Sequence, residues 1–216
     1  MKIANFITSK KNLGFGGGNN RILKMSKTKY VFLLSPDTIL KKNCEHELIK
    51  QIKKIKNFSL IAPLAKENNY GFFEEKKTIT RKNLFEVDYV KGFAMLFNLK
   101  KIAKINMFDE NIFLYLEEID LCKRLRKKNH KIFICKNAKI KHIGAKSSNL
   151  GFEYEKCRNW HWMWSSFYFY KKTPICFYNY NDVAFSLVWL SFRNNNDGYL
   201  LFLPFPSNVS KNIAPR

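Results

Sequence analysis

The chain has 216 residues and a formal net charge of +22, and 46% of its residues are hydrophobic. That length fits one domain with its own core, and that apolar fraction excludes a wholly disordered chain. The lysines are scattered along the whole sequence, so the charge predicts attraction to polyanions without selecting among nucleic acid, acidic lipid and nucleotide phosphates.

The first half of the chain alternates short apolar runs with amphipathic ones. Pro36 and Pro63 follow apolar runs and are expected to end strands there. Asn43 is a candidate side-chain cap for the helix that follows it. We predict these elements: a strand over 3–7, a glycine-rich turn over 14–18, a helix over 20–26, a buried parallel strand over 30–34, a helix over 45–56 and a strand over 58–62.

The second half continues the alternation and then changes character. We predict a polar, irregular segment of hairpins or a loop over 66–86, a strand over 89–98, helices over 99–105 and from Glu117, strands over 132–135 and 140–142, and a helix over 152–171. This order predicts an α/β layered domain over residues 1–172. We expect residues 173–216 to form a helical, aromatic segment and a poorly ordered tail.

Cysteines and hydropathy bear on the cellular location. The five cysteines are far apart and show neither a C-x-x-C pair nor zinc-site spacing, which predicts reduced thiols in a cytoplasmic protein. Residues 1–11 lack the apolar core of a signal peptide. The longest late apolar run, residues 183–192, is about half of the ~20 residues that a spanning helix requires. We therefore expect no transmembrane segment.

A glycine-rich segment over residues 12–20 is the first candidate site. It reads N-L-G-F-G-G-G-N-N, which is neither a phosphate-binding Walker loop nor a dinucleotide fingerprint. Glycines before a helix let backbone N–H groups approach a phosphate or a sugar closely. A merely flexible turn explains the same residues.

Two further candidates lie at expected strand ends. Asp37 follows the apolar run 30–34, where ligands bind in open α/β sheets, and its carboxylate could hold Mg²⁺ or Mn²⁺. Capping of the next turn is the alternative. His142 ends a later strand, where a histidine suits a metal or phosphate contact. A structural histidine is the alternative there.

An acidic cluster opens the helix that begins near residue 117. Glu117 and Asp120 share one helical face, and Glu118 projects about 100° away from it. Acids are favoured in a first helical turn by the helix dipole, but three within four residues exceed that need. Crowded carboxylates raise one another's pKa, which suits a general base.

In chain order these motifs resemble family 2 glycosyltransferases with the GT-A fold, particularly the rhamnosyltransferase-like branch. Further matches to that branch are Gly92, Met95, Leu96 and Phe97, Phe108-Asp109-Glu110, Phe113, Tyr115, Leu121-Cys122, Arg124, Arg126, Gly144 and Ser147. The chain departs from the pattern at Ser35, in place of asparagine or aspartate, and at Glu118, in place of aspartate. The family's opening strand has no counterpart, so the resemblance implies an N-terminally truncated GT-A domain.

The resemblance also implies roles for individual residues. A donor nucleotide sugar would be bound by Asn12, Gly14, Phe15, Gly18, Asn19, Asn20 and Asp37. Gly92 and Phe93 would contact the acceptor, and Asp37 with His142 would hold a divalent cation, Mg²⁺ or Mn²⁺. Glu118 would be the catalytic base, with Glu117 and Asp120 in the same cluster.

We therefore expect a metal-dependent inverting glycosyltransferase that moves a sugar, such as rhamnose or a related hexose, onto a cell-surface polysaccharide or lipid-linked glycan. The expected location is the cytoplasm, with peripheral contact to the inner membrane. Two alternatives stay open: a basic protein that binds nucleic acid or a membrane surface, and a glycosyltransferase remnant without activity. For the first of these, residues 160–170 supply aromatic rings that could stack on bases or lie at an interface.

Overall fold

The structure, a computed structural model, describes residues 6–55, 57–65, 78–81, 83–143, 152–172, 187–194 and 197–204. The helices are α1 Gly14–Met25, α2 Cys44–Lys54, α3 Leu99–Ala103, α4 Glu117–Lys127 and α5 Phe152–Lys172. The strands are β1 Tyr30–Leu34, β2 Thr38–Leu40, β3 Leu60–Ala65, β4 Thr78–Arg81, β5 Leu84–Glu86, β6 Ala94–Asn98, β7 Ile132–His142, β8 Leu187–Asn194 and β9 Asp197–Pro204. The chain divides into two compact units, Met1–Phe169 and Tyr170–Arg216.

The first unit is built on a mixed seven-stranded sheet. Six strands follow the order β1-β6-β3-β7-β5-β4, and β2 pairs with the far end of the long strand β7. Strands β3 and β7 are parallel. Strand β6 lies between β1 and β3 and runs antiparallel to both. Because β2 joins the end of β7, its residue Thr38 lies opposite His142. This pairing brings two distant parts of the sequence together at one end of the sheet.

Both faces of the sheet are covered, which explains why its central strands are apolar on both sides. Along β6, Met95 and Phe97 enter one core together with residues of α1, α3 and α4. Ala94 and Leu96 enter the other core together with residues of α2. The alternation follows from the two-residue period of a strand.

The second unit contains a hairpin in which β8 pairs antiparallel with β9. Residues 197–204 belong to the segment expected to include a poorly ordered tail, and they form strand β9 of this hairpin. The domain boundary at residue 172 stays a prediction. Among the helices that the structure describes, none is both long and apolar enough to cross a membrane.

Several predicted elements differ from the observed ones for identifiable reasons. Pro63 does not end its strand; it lies inside β3, where the register shifts between Pro63 and Leu64, and such irregularities tolerate proline. The two late strands are one continuous strand, β7. Strand β1 pairs antiparallel with β6 instead of lying in a parallel sheet. Strands β4 and β5, by contrast, pair antiparallel, as expected of a hairpin within residues 66–86.

The predicted ends of the chain's early elements also need correction. Asn43 stands at the N-terminal boundary of α2, but its left-handed backbone (φ 63°) leaves the side chain without a capping hydrogen bond. Its carbonyl accepts from the N–H of Glu47 instead. No strand forms at residues 6–7, and the rest of the strand predicted over 3–7 lies outside the described residues.

Replacing Phe97 with alanine should lower the free energy of unfolding by about 3–5 kcal/mol, because its ring is fully buried between the sheet and α1, α3 and α4. Urea unfolding measures the change. Phe6→Ala is the matched control, since the Phe6 side chain is almost wholly exposed. Equal losses in the two variants would contradict the core described here.

Candidate functional site

The loop of residues 108–116 comes directly before the acidic helix α4, and helix α1 holds its beginning. Asn20, buried in α1, donates from Nδ2 to the carbonyl of Phe108 (2.9 Å) and to Oε1 of Glu110 (2.8 Å). Its Oδ1 accepts from the N–H of Phe108 at 3.0 Å. One amide side chain therefore fixes both the start of the loop and the adjacent carboxylate.

The glycines of α1 allow this close approach. A Cβ on Gly14 would lie 2.3 Å from the carbonyl oxygen of Phe113, and the residue has a φ of +70°. A Cβ on Gly16 would lie 3.2 Å from the Cβ of Phe108. The prediction of a glycine-rich turn before a helix at residue 20 was wrong, because the helix starts at Gly14 and its glycines pack against the loop.

Helix α5 holds the other end of the same loop. The hydroxyl of buried Ser165 donates to the carbonyl of Leu114 at 2.7 Å. Nε of Arg158 donates to the hydroxyl of Tyr115 at 2.7 Å, and His161 stacks on Phe113 with ring centroids 4.3 Å apart. These contacts come from residues roughly one turn apart, so a single face of α5 grips the loop.

The loop ends in a strained backbone. Tyr115 and Leu116 both have left-handed conformations, with φ values of 71° and 69°. Such conformations cost of order 1–3 kcal/mol per residue and persist only where surrounding contacts fix them. The hydrogen bonds from α5 to Leu114 and Tyr115 supply those contacts immediately before Glu117.

The three acids at the start of α4 are all buried, but they have different partners. Asp120 forms an ion pair with Arg124 at 2.7 Å. Arg124 in turn donates to the carbonyls of Ile105 and Met107. The Asp120 carboxylate thus belongs to a structural network that stabilises the turn before the loop. Its predicted catalytic role stays a prediction.

Glu117 and Glu118 form a coupled carboxylate pair. Burial, followed by the charge of Glu118, raises the pKa of Glu117 to about 8. Burial also raises the pKa of Glu118, but Lys91 and the N–H groups of Glu118 and Ile119 act in the opposite direction. Oε2 of Glu117 has no hydrogen-bond partner among the described residues. Burial thus favours the protonated form of both carboxyl groups, and Lys91 and two backbone N–H groups favour the ionised form of Glu118.

A second polar pair lies at the end of the sheet where β2 meets β7. Oδ2 of Asp37 is 3.2 Å from Nε2 of His142, and each side chain is about a quarter exposed. The N–H of Ile143 donates to the Asp37 carbonyl at 2.9 Å. Phe93 stacks on the His142 ring with centroids 4.3 Å apart. The structure thus brings together three residues predicted from separate motifs.

Residues 91–93 connect the two polar pairs. Lys91 acts on the Glu118 carboxylate, and a Cβ on Gly92 would lie 3.2 Å from the Phe15 ring and 3.8 Å from the Cβ of Glu118. Phe93 stacks on His142. Three consecutive residues therefore lead from the surroundings of Glu118 to the His142 ring.

The Asp37–His142 pair suits a divalent cation that keeps other ligands. Carboxylate oxygen and imidazole nitrogen both bind Mn²⁺, and hard cations in such sites commonly retain waters and substrate phosphates. Among the described residues, no group of three or more His, Cys, Asp and Glu side chains could hold a metal ion. The protein would thus supply two ligands, and the partial exposure of both leaves room for the rest.

The predicted donor-binding residues of α1 are mostly engaged within the protein. Nδ2 of Asn19 donates to the carbonyl of Phe15, and Oδ1 of Asn12 accepts from the N–H of Gly14. Gly18 faces open space, with nothing within 4 Å of a Cβ built there. Donor contacts by these residues, and an acceptor contact by Phe93, stay predictions. Gly144 and Ser147 lie outside the described residues.

Two residues that contribute to the site carried no sequence signal. Lys91 is one of many scattered lysines, and only the fold shows that its charge lowers the pKa of Glu118. Ser165 lies 51 residues beyond the Leu114 carbonyl to which it donates. The aromatic spacing of α5 predicted a helix but not which face would hold the loop.

Comparison with known proteins agrees with this architecture. The chain is 28% identical over 150 residues to the low-salt glycan biosynthesis hexosyltransferase Agl10 of Haloferax volcanii, covering 60% of this chain and 48% of that protein. It is 25% identical over 144 residues to the rhamnosyltransferase WbbL of Escherichia coli K12, covering 52% and 54%. The chain thus spans about half the length of these relatives. No family model matches the sequence.

A solved structure of GalNAc-T7 with UDP, GalNAc and Mn²⁺ superposes on 62% of this chain and 31% of its own, with a TM-score of 0.53 and 10% identity. The fold is GT-A. The predicted mixed α/β sheet flanked by helices is thereby confirmed. Both sequence relatives are glycosyltransferases, which supports the predicted resemblance to glycosyltransferases of this fold.

Gly14→Ala should destabilise the protein strongly, because its Cβ would overlap the Phe113 carbonyl and its φ is left-handed. Gly18→Ala should be neutral or stabilise by up to ~1 kcal/mol, as alanine does in an open helical position. Urea unfolding of the two variants compares them directly. Equal stability would show that α1 does not pack on the loop as described.

Glu117→Gln should stabilise the protein more, relative to wild type, as pH rises from 4.5 to about 8. The folded protein holds the Glu117 proton more tightly than the unfolded chain, so this contribution is complete below pH 4.5 and is lost as pH approaches 8. Urea unfolding across this pH range measures the trend. The control is Glu45→Gln, at an exposed first-turn glutamate of α2. A difference from wild type that does not change with pH would contradict the buried, protonated Glu117.

Proposed function

We propose that the first unit is a glycosyltransferase domain that binds a nucleotide-sugar donor and transfers its sugar to a hydroxyl group of a glycan. The observation that carries this proposal is the connection of the Glu117–Glu118 pair to the Asp37–His142 pair through residues 91–93. An acid–base group and a diphosphate or cation contact are the two functions that sugar transfer from a nucleotide requires. The GT-A fold and the two glycosyltransferase relatives support the same chemistry.

Glu118 is the proposed base. Its carboxylate removes the proton from the acceptor hydroxyl as that oxygen forms a bond to the anomeric carbon. The bond between the anomeric carbon and the diphosphate breaks, and its electron pair leaves with the diphosphate, so the configuration inverts. Lys91 favours the ionised form of Glu118, whereas protonated Glu117 avoids a second negative charge beside it.

Asp37 and His142 are the proposed contacts for the donor's diphosphate. A divalent cation bound there would offset the charge on the departing diphosphate. Phe93 fixes the His142 ring by stacking, and the β2–β7 pairing fixes Asp37 relative to His142. The proposed donor carries a hexose, rhamnose included, and the proposed acceptor is a cell-surface polysaccharide or lipid-linked glycan. We propose a cytoplasmic location for this reaction.

Incubation of the purified protein and Mn²⁺ with a panel of nucleotide sugars should identify a donor that is bound and slowly hydrolysed. Glu118→Gln should retain donor binding and lower turnover by about 10²–10⁴-fold, the usual contribution of a general base. Asp37→Asn should weaken donor binding itself. Glu45→Gln, in the exposed first turn of α2, is the charge-matched control and should change neither property.

Calorimetry and product release measure binding and turnover separately. Failure of every donor to bind would refute the proposal. Donor binding without turnover, unchanged by Glu118→Gln, would instead identify a remnant that has kept the fold and lost the activity.

A further inference from the structure

Helix α5 has two faces with different roles. Arg158, His161, Ser165 and Tyr168 face the loop of residues 108–116, at the three- and four-residue spacing of one helical face. Trp160, Trp164 and Phe167 lie on an adjacent side, about 100° around the helix, at the same spacing. We call these three residues the aromatic face. It makes none of the contacts that hold the loop.

The three side chains of the aromatic face are large and apolar, yet they are exposed to solvent. Trp160, Trp164 and Phe167 are 54%, 44% and 48% exposed. The rings of Trp160 and Trp164 stack with centroids 6.2 Å apart and planes within 10° of each other, and Phe167 follows at 6.2 Å from Trp164. They therefore form one continuous apolar strip. A contiguous apolar strip of this kind marks an interaction surface.

Lysines lie on α5 before and after the strip. Lys156 is exposed one turn before Trp160, and Lys171 and Lys172 lie in the last turn of the helix. The chain as a whole carries 39 Lys and Arg residues against 17 Asp and Glu residues, so its field attracts anionic surfaces. Exposed tryptophan and phenylalanine rings together with lysines form the composition that lies at the boundary between lipid headgroups and acyl chains.

We propose that the aromatic face of α5 is a membrane-docking surface that inserts its rings into the interface of an anionic bilayer. The helix lies along the surface and does not cross it, in keeping with its limited apolar length. Because an adjacent face of α5 holds the loop before Glu117, docking would place that loop close to the lipid surface. This inference does not depend on the proposed transfer reaction.

The first test is co-sedimentation of the full chain with vesicles. Wild-type protein should bind vesicles of phosphatidylcholine mixed with phosphatidylglycerol and bind pure phosphatidylcholine weakly. Replacing the aromatic face with serine (Trp160→Ser, Trp164→Ser, Phe167→Ser) should weaken binding to the anionic vesicles by about tenfold or more, because the apolar contribution is lost. Far-UV circular dichroism checks that the variant keeps its helices.

The matched control removes two equally exposed apolar side chains elsewhere, Ile39→Ser and Ile49→Ser. It should bind vesicles like the wild type. Vesicles containing brominated lipid provide a second readout without any variant, since bromine quenches only tryptophans that enter the acyl region. Strong quenching of the wild-type protein supports insertion of the rings.

Three results would overturn the proposal. In the first, wild-type protein fails to bind anionic vesicles. In the second, the triple variant and the Ile39/Ile49 control bind the anionic vesicles equally, which would mean that the lysines alone cause the binding. In the third, single-stranded RNA binds in place of vesicles and loses affinity in the triple variant, which would make the strip a nucleic-acid surface.

Discussion

The loop of residues 108–116 is the constraint on which the proposed site depends. Asn20 of α1 fixes its start, and Ser165 and Arg158 of α5 fix its end. A strained pair, Tyr115 and Leu116, then leads directly into the carboxylates of α4. The position of Glu117 and Glu118 against residues 91–93 therefore follows from hydrogen bonds made by helices far away in the sequence.

The carboxylate cluster combines structural and chemical functions. Asp120, paired with Arg124, fixes the turn at Ile105 and Met107 and is committed to the fold. Burial raises the pKa values of both Glu117 and Glu118. Burial of two adjacent carboxyl groups opposes stability, and such groups are found where proton transfer needs them. Helix capping alone does not explain this arrangement.

Much of the fold could be predicted from the sequence because strand and helix periods recur clearly. The hydrophobic period of the sequence indicates helices α2, α4 and α5 and strand β1 without any tertiary contact. The start of α1 could not be predicted, because glycine disfavours helices locally and only packing against Phe108 and Phe113 explains it. Pro63 was misleading for a similar reason, since a register shift inside the sheet accommodates it.

The residues of the proposed site could be named from the sequence, but their arrangement could not. The resemblance to glycosyltransferases named Asp37, His142 and Glu118, yet the β2–β7 pairing and residues 91–93 that connect them have no local sequence signal. Lys91 and Ser165 were missed because their roles arise only from tertiary contacts. What the sequence alone left open was whether the acidic and donor-side motifs form one site.

The most direct test of that point is a crystal structure of the protein grown with Mn²⁺ and a nucleoside diphosphate, with anomalous scattering used to locate the metal. The predicted result is a manganese peak between Asp37 and His142, with the diphosphate beside it and its terminal phosphate directed toward Gly92 and Glu118. A metal and nucleotide bound elsewhere, with these four residues unoccupied, would contradict the proposed site.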